Sequence, residues 1–295
     1  ASNVEATDSN QSSRTIILQK NVEEDITVSK NAIFLNLNGK KLTNKSNDTI
    51  TIEKDAKLTV EGEGTVDNVS HGKAAVYNSG EAVLLGGEYT RSKESGQNAT
   101  TSGGNSYYNI LNHGGMHIGK DVTVSQPGKF SSLIDNGYYN YDSNNPRSGY
   151  VQGVNFEKPE LTIDGATFSG GLNTIKNDDE GILIINGGKF SNYSQNVVQN
   201  HNVAVINNGT FASDGTEDAN VRNCGCGKHD AGQLTINGGT FTGGKVAIQD
   251  VSDKTKAPDA FVKVNGGKFS NIDVLKYIDR SSDITVSLTN SVALS

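Results

Sequence analysis

Apolar and polar residues alternate in short runs along this chain, and the runs recur with a shared ending. Leu161-Thr162-Ile163-Asp164-Gly165-Ala166-Thr167-Phe168 is one copy. Ile184-Ile185-Asn186-Gly187-Gly188-Lys189-Phe190 and Val205-Ile206-Asn207-Asn208-Gly209-Thr210-Phe211 follow it. Leu234-Thr235-Ile236-Asn237-Gly238-Gly239-Thr240-Phe241 and Val262-Lys263-Val264-Asn265-Gly266-Gly267-Lys268-Phe269 complete the series. Val83-Leu84-Leu85-Gly86-Gly87-Glu88-Tyr89 is an earlier variant, and runs at Leu58 and Met116 are weaker echoes.

Alternation with period two predicts strands with one face inward. The glycines permit a bend that a Cβ would obstruct, and the aromatic ring is predicted to turn inward and stack one coil away. Phe168, Phe190 and Phe211 follow one another at 22 and 21 residues. That is the length of one solenoid coil of three short strands and three turns. Asp164, Asn186, Asn207, Asn237 and Asn265 each precede a Phe by four residues. Aligned coils would stack them into a ladder of side-chain amides. A second strand signal ends in Asn, at Asn78, Asn112, Asn177 and Asn200. Asn tolerates a left-handed backbone, which suits a corner.

The predicted fold is therefore all-β, a right-handed single-stranded parallel β-helix spanning residues 15–280. A flexible tail is expected over 1–14 and an extension toward a following domain over 281–295. Insertions are expected near 91–106, 126–160 and 212–232. Period-3.6 patterning is scarce, and the best helical candidate is Asn271 to Arg280. It follows the last repeat, where a solenoid needs a cap.

Composition agrees with a solenoid. Glycine is abundant at 34 residues and the hydrophobic share is 34%, low for a compact domain. The net charge of −7 with scattered basic residues argues against nucleic-acid partners, which need clustered Lys and Arg. No apolar run reaches the roughly 18–20 residues of a membrane helix, so no membrane insertion is expected.

The stretch Ile26 to Asn68, with Phe34-Leu35-Asn36-Leu37-Asn38-Gly39 and Leu58-Thr59-Val60-Glu61-Gly62-Glu63-Gly64, resembles the opening coils of pectate-lyase-like β-helix proteins. The Asn-Gly-Gly-x-Phe repeats and the ending Gly266 to Arg280 are similar to the same group, which includes large surface proteins of Firmicutes-type bacteria. The resemblance covers about Thr15 to Arg280. It implies an extracellular, cell-surface or cell-wall setting, neighbouring domains and an adhesive role. Wall attachment comes from the resemblance alone.

The β-helix also hosts enzymes, so the fold leaves function open. Polygalacturonases of this group carry an Asn-x-Asp, an Asp-Asp pair, a Gly-His-Gly and an Arg-x-Lys, the last of which is not expected here. Here Asn177-Asp178-Asp179-Glu180 and Asn112-His113-Gly114-Gly115 stand nearest, and neither is a clean match. Asp178 and Asp179 read as a solvated turn, against a catalytic or Ca²⁺ role. Asn223-Cys224-Gly225-Cys226-Gly227-Lys228-His229-Asp230 is the oddest segment. Cys224, Cys226 and His229 are the candidate Zn²⁺ ligands, and a strained disulfide or two free thiols are the alternatives. No other cofactor is indicated.

Six of the ten tyrosines fall between Tyr107 and Tyr150. Tyr138, Tyr139, Tyr141, Tyr150 and Arg147 form the candidate ligand-binding set, because rings stack on sugar C–H faces while polar groups read hydroxyls. The alternative is that they brace the loop. The expected function is an adhesin-like binding module whose partner is a glycan or a host surface protein. A glycan-active enzyme, hydrolase or lyase, and a passive stalk are the competing expectations.

Overall fold

The structure is a computed structural model that describes residues 13–94, 107–141, 150–152, 155–214, 218–278 and 286–288. Its strands form two long sheets in which the paired strands run parallel. The chain is a parallel β-helix, and β-to-β crossovers of this kind are right-handed in nearly all proteins.

Each coil visits three faces. One coil contributes Ala32–Asn36 to the first face, Lys40–Thr43 to the second and Ile50–Ile52 to the third. The next contributes Lys57–Glu61, Gly64–Asp67 and Val76–Asn78. Strands such as Glu160–Gly170 and Ile182–Asn192 bend through the first two faces without a break, which merges them into one sheet. The predicted glycines make that bend. Gly188 has φ +127°, and a Cβ there would lie 2.9 Å from the Ala166 carbonyl oxygen.

The five Phe residues stack as the repeat predicts. Phe168, Phe190, Phe211, Phe241 and Phe269 have successive ring centroids 4.8, 4.8, 4.6 and 4.8 Å apart. The spacing is that of the coils themselves. The exposed ladder also forms. Asn186 donates to Asp164, Asn207 to Asn186, Asn237 to Asn207 and Asn265 to Asn237, at 2.7–2.8 Å.

The Asn residues ending the third face behave differently from the corner expected of them. None has positive φ. They point inward and build a second, buried ladder: Asn78 to Asn112, Asn136, Asn177, Asn200 and Asn223 in turn, linked amide to amide at 2.6–2.8 Å. Asp250 accepts from Asn223 at its end. All six Asn side chains are buried. Their amides also donate to corner carbonyls, such as those of Gly115, Glu160 and Ile182. Buried polar groups must be paired, and the coil repeat supplies the partners.

Two expected insertions prove shorter. Ile134–Asn136 and Ala219–Asn223 are regular third-face strands inside the ranges 126–160 and 212–232. What remains is 137–159 and 224–232, both at the corner leaving the third face. Among the described residues, Ser13 and Arg14 of the expected tail already pair, with Ala32 and Ile33.

At the other end, Ile272–Tyr277 forms a 3₁₀ helix against Val246–Asp250. Asp273 accepts the Ala247 and Ile248 N–H groups, and the Tyr277 hydroxyl accepts that of Asp250. The helix thus satisfies the open edge of the third face, a site that otherwise invites pairing with another chain. The solenoid does not stop at residue 280. Ile278 bridges to Val264, and Val286–Leu288 pairs with Gly267–Phe269.

Candidate functional site

Strand register decides which residues meet at the third-face corner. The residues immediately after the buried Asn ladder are Ser79, His113, Gly137, Asp178, His201 and Cys224, and they form one column up the solenoid. The insertions 137–159 and 224–232 leave this same column and meet above it. Tyr141 and His229 have ring centroids 4.6 Å apart, and His229 pairs through Nδ1 with Glu180.

The insertion 137–159 is pinned from below. Asp179 accepts the Tyr138 N–H with its carbonyl and the Tyr141 N–H with its carboxylate, at 3.0 and 2.8 Å. Tyr138 is fully buried, and its hydroxyl donates to the carbonyls of Phe156 and His113. It is therefore an anchor rather than a ligand contact. Tyr141 and Tyr150 are half-buried and pack against each other at 5.0 Å. Tyr139 is exposed. Arg147, the fifth member of the expected binding set, lies outside the described residues.

Asp178 and Asp179 do not form the solvated turn expected of them. Asp178 is buried and paired with Lys176. Burial, with Asp178 beside it, pushes the Asp179 carboxyl up to about 6. Asp135, on the outward side of the neighbouring strand, is also buried. Desolvation raises its carboxyl to about 7, against the pull of Lys176. Desolvation pushes the Lys176 ammonium down, yet Asp135 and Asp178 outweigh it and hold it above its ordinary value.

The sign of the Asp135 effect follows from proton counts. Between about pH 4 and 7 the folded chain binds a proton that the unfolded chain has released, so stability falls as pH rises through that window. Asp135→Asn removes this slope. The variant is expected to melt a few degrees above the parent at pH 8 and to converge with it near pH 4. Melting curves across that range check it, and a variant below the parent throughout contradicts the assignment.

His113 is a buried neutral histidine. Desolvation lowers it to about 4, and Tyr77 and Tyr138 flank its ring. An Arg-x-Lys does occur, at Arg91-Ser92-Lys93. Arg91 is nonetheless buried, paired with Glu94 and donating to the carbonyls of Lys73 and Ser70. It ties Glu94 to the Tyr107 carbonyl.

The expected metal ligands are only partly brought together. Cys224 and Cys226 are free thiols with Sγ atoms 3.2 Å apart, Cys224 buried and Cys226 exposed. His229 is engaged with Glu180 and Tyr141 instead. The donors that do converge on Cys224 are His201 and Asp230, all three ligand atoms lying within 4.8 Å of one another. His201 also shares such a group with Asp178 and Asp179. Sequence reasoning missed His201 because its partners arrive from the next coil. The signal that finds it is the column after the ladder Asn.

The chain matches no family model, no curated protein and no solved structure.

Proposed function

We propose that the chain is an extracellular, adhesin-like binding module of a bacterial surface protein, and that the 137–159 insertion meets a glycan. Tyr139 carries this reading. Its side chain is 53% exposed, while Tyr138 before it is buried and Tyr141 after it is hydrogen-bonded to Asp179. A ring held out on a braced backbone can stack on a sugar face with little ordering cost. Lys176 Nζ lies over the Tyr139 ring, 5.0 Å from its centroid, and helps to hold it. The surface setting and the bacterial source rest on the sequence resemblance.

A glycan array probed with the chain tests the reading. The parent is expected to retain a defined set of glycans. Tyr139→Ala should weaken retention roughly tenfold, the scale of one aromatic contact, and Tyr139→Phe should keep most of it. An array blank for the parent sinks the glycan reading and favours a protein partner or a passive stalk.

A further inference from the structure

We infer that His201, Cys224 and Asp230 form a binding site for a thiophilic divalent cation, Zn²⁺ by its ligand chemistry. The site is built by two independent parts of the fold. His201 and Cys224 occupy adjacent rungs of one column, fixed by backbone bonds from His201 N–H to the Asn177 carbonyl and from Cys224 N–H to the Asn200 carbonyl, at 2.7 and 2.9 Å. Asp230 comes from the 224–232 insertion, whose turn is closed by its own carbonyl accepting the Cys226 and Gly227 N–H groups. Side-chain donors within 4.8 Å of one another need only small rotations to reach the roughly 2.0–2.3 Å bond lengths of a tetrahedral zinc centre.

Three details point to a ligand rather than a closed polar cluster. The Asp230 Oδ1 atom is buried without a hydrogen-bond partner, although the side chain keeps 15% of its surface. Buried unpaired oxygens are rare and costly, and a cation would satisfy this one. Next, the Gln199 side-chain amide lies 2.7 Å from His201 Nε2. With its oxygen turned to that side it accepts the Nε2–H and leaves the Nδ1 lone pair, which faces Asp230 Oδ2 at 3.4 Å, for the metal, as outer partners of ligating histidines do. Third, one sulfur, one imidazole nitrogen and one carboxylate is a borderline-soft donor set, suited to Zn²⁺ and poorly suited to Ca²⁺ or Mg²⁺.

The other grouping on His201 is the weaker one. Asp178 is already paired with Lys176, and the Asp179 carboxylate already accepts the Tyr141 N–H. On binding, the Cys224 thiol gives its proton to water and the thiolate bonds the metal. The His201 imidazole and the Asp230 side chain supply the other two donors. Three protein donors leave a fourth position for water. Cys226 and His229 are not ligands in this assignment.

The test uses the full chain carrying Cys226→Ser, which prevents a disulfide with Cys224, stripped of metal and kept reduced. Calorimetric titration with ZnCl₂ is expected to show one saturable site per chain. Adding His201→Ala, Cys224→Ser or Asp230→Asn should each weaken it by roughly tenfold or more, while His229→Ala leaves it unchanged. Cobalt titrated into the same background should give a thiolate-to-metal charge-transfer band that Cys224→Ser abolishes. Melting curves without metal identify any variant that has lost its fold, and for that position the non-ligating changes His201→Gln and Asp230→Ser replace it. The inference is overturned if the Cys226→Ser chain shows no saturable site. It is equally overturned if a folded variant at any of the three positions keeps parental affinity.

Discussion

Replacing Asn177 with alanine is expected to cost the fold on the order of 5 kcal/mol, since each orphaned buried group costs about 1–3 kcal/mol. Asn177 accepts from Asn136 at 2.7 Å and donates to Asn200, Gly181 and Val203 at 2.8, 3.1 and 3.0 Å. Alanine strands the Asn136 amide on one side and the Asn200 amide oxygen on the other, both buried, and takes one bond each from the Val203 carbonyl and from the Gly181 carbonyl, which keeps those from Asn202 and the Val203 N–H. The exposed ladder provides the contrast. Asn207 makes the same rung-to-rung bonds, at 2.8 Å each, but on the solvent side. Water replaces those partners, so Asn207→Ala should cost only about 1 kcal/mol. Denaturant unfolding of the two variants separates the cases. Equal losses would mean that the buried ladder is not a closed hydrogen-bond column.

Phe211→Ala is the second large effect, expected at about 4 kcal/mol. Phe211 lies in the middle of the stack, 4.8 Å from Phe190 and 4.6 Å from Phe241, and neither neighbour can close the cavity without leaving its own rung. Transfer, cavity and stacking losses therefore add. Phe269 touches only Phe241 among the stacked rings, so Phe269→Ala should cost less by about 1 kcal/mol. Thermal unfolding with the parent as reference checks both. A Phe269 loss equal to that of Phe211 would show that stacking on both sides contributes nothing.

Much of this fold is written in short-range pattern. The interval between successive Phe residues predicts the coil, the glycine before each Phe predicts the bend, and the Asp164-to-Asn265 series predicts the outer ladder. The inner ladder is harder to read, because Asn at a strand end has two uses. It can adopt a left-handed corner, or it can turn inward where an identical residue sits one coil above. Only knowledge of the coil register distinguishes them. The same limit hid two strands. Ile134-Asp135-Asn136 is three residues long with one charged member, too little for periodicity to register, yet its register with Ile110–Asn112 places it firmly.

Register also explains the site. Cys224 and His229 are close in sequence, which made them the natural ligand pair, but His229 reaches outward to Glu180 and Tyr141. His201 is a full coil earlier and lies on the adjacent rung. The tyrosine cluster was legible as a group, while its division into a buried anchor, Tyr138, and an exposed ring, Tyr139, depends on which side of the insertion faces the corner.

The central claim is that coil stacking builds the corner site, and diffraction tests it most directly. Crystals grown with Zn²⁺ would be measured on both sides of the zinc absorption edge. The account predicts an anomalous peak bonded to His201 at about 2.0–2.1 Å and to Cys224 at about 2.3 Å, with an Asp230 oxygen as the third protein ligand. His201 and Cys224 should occupy neighbouring rungs directly after Asn200 and Asn223. A peak ligated by Cys226 and His229, or those residues out of register, would contradict it.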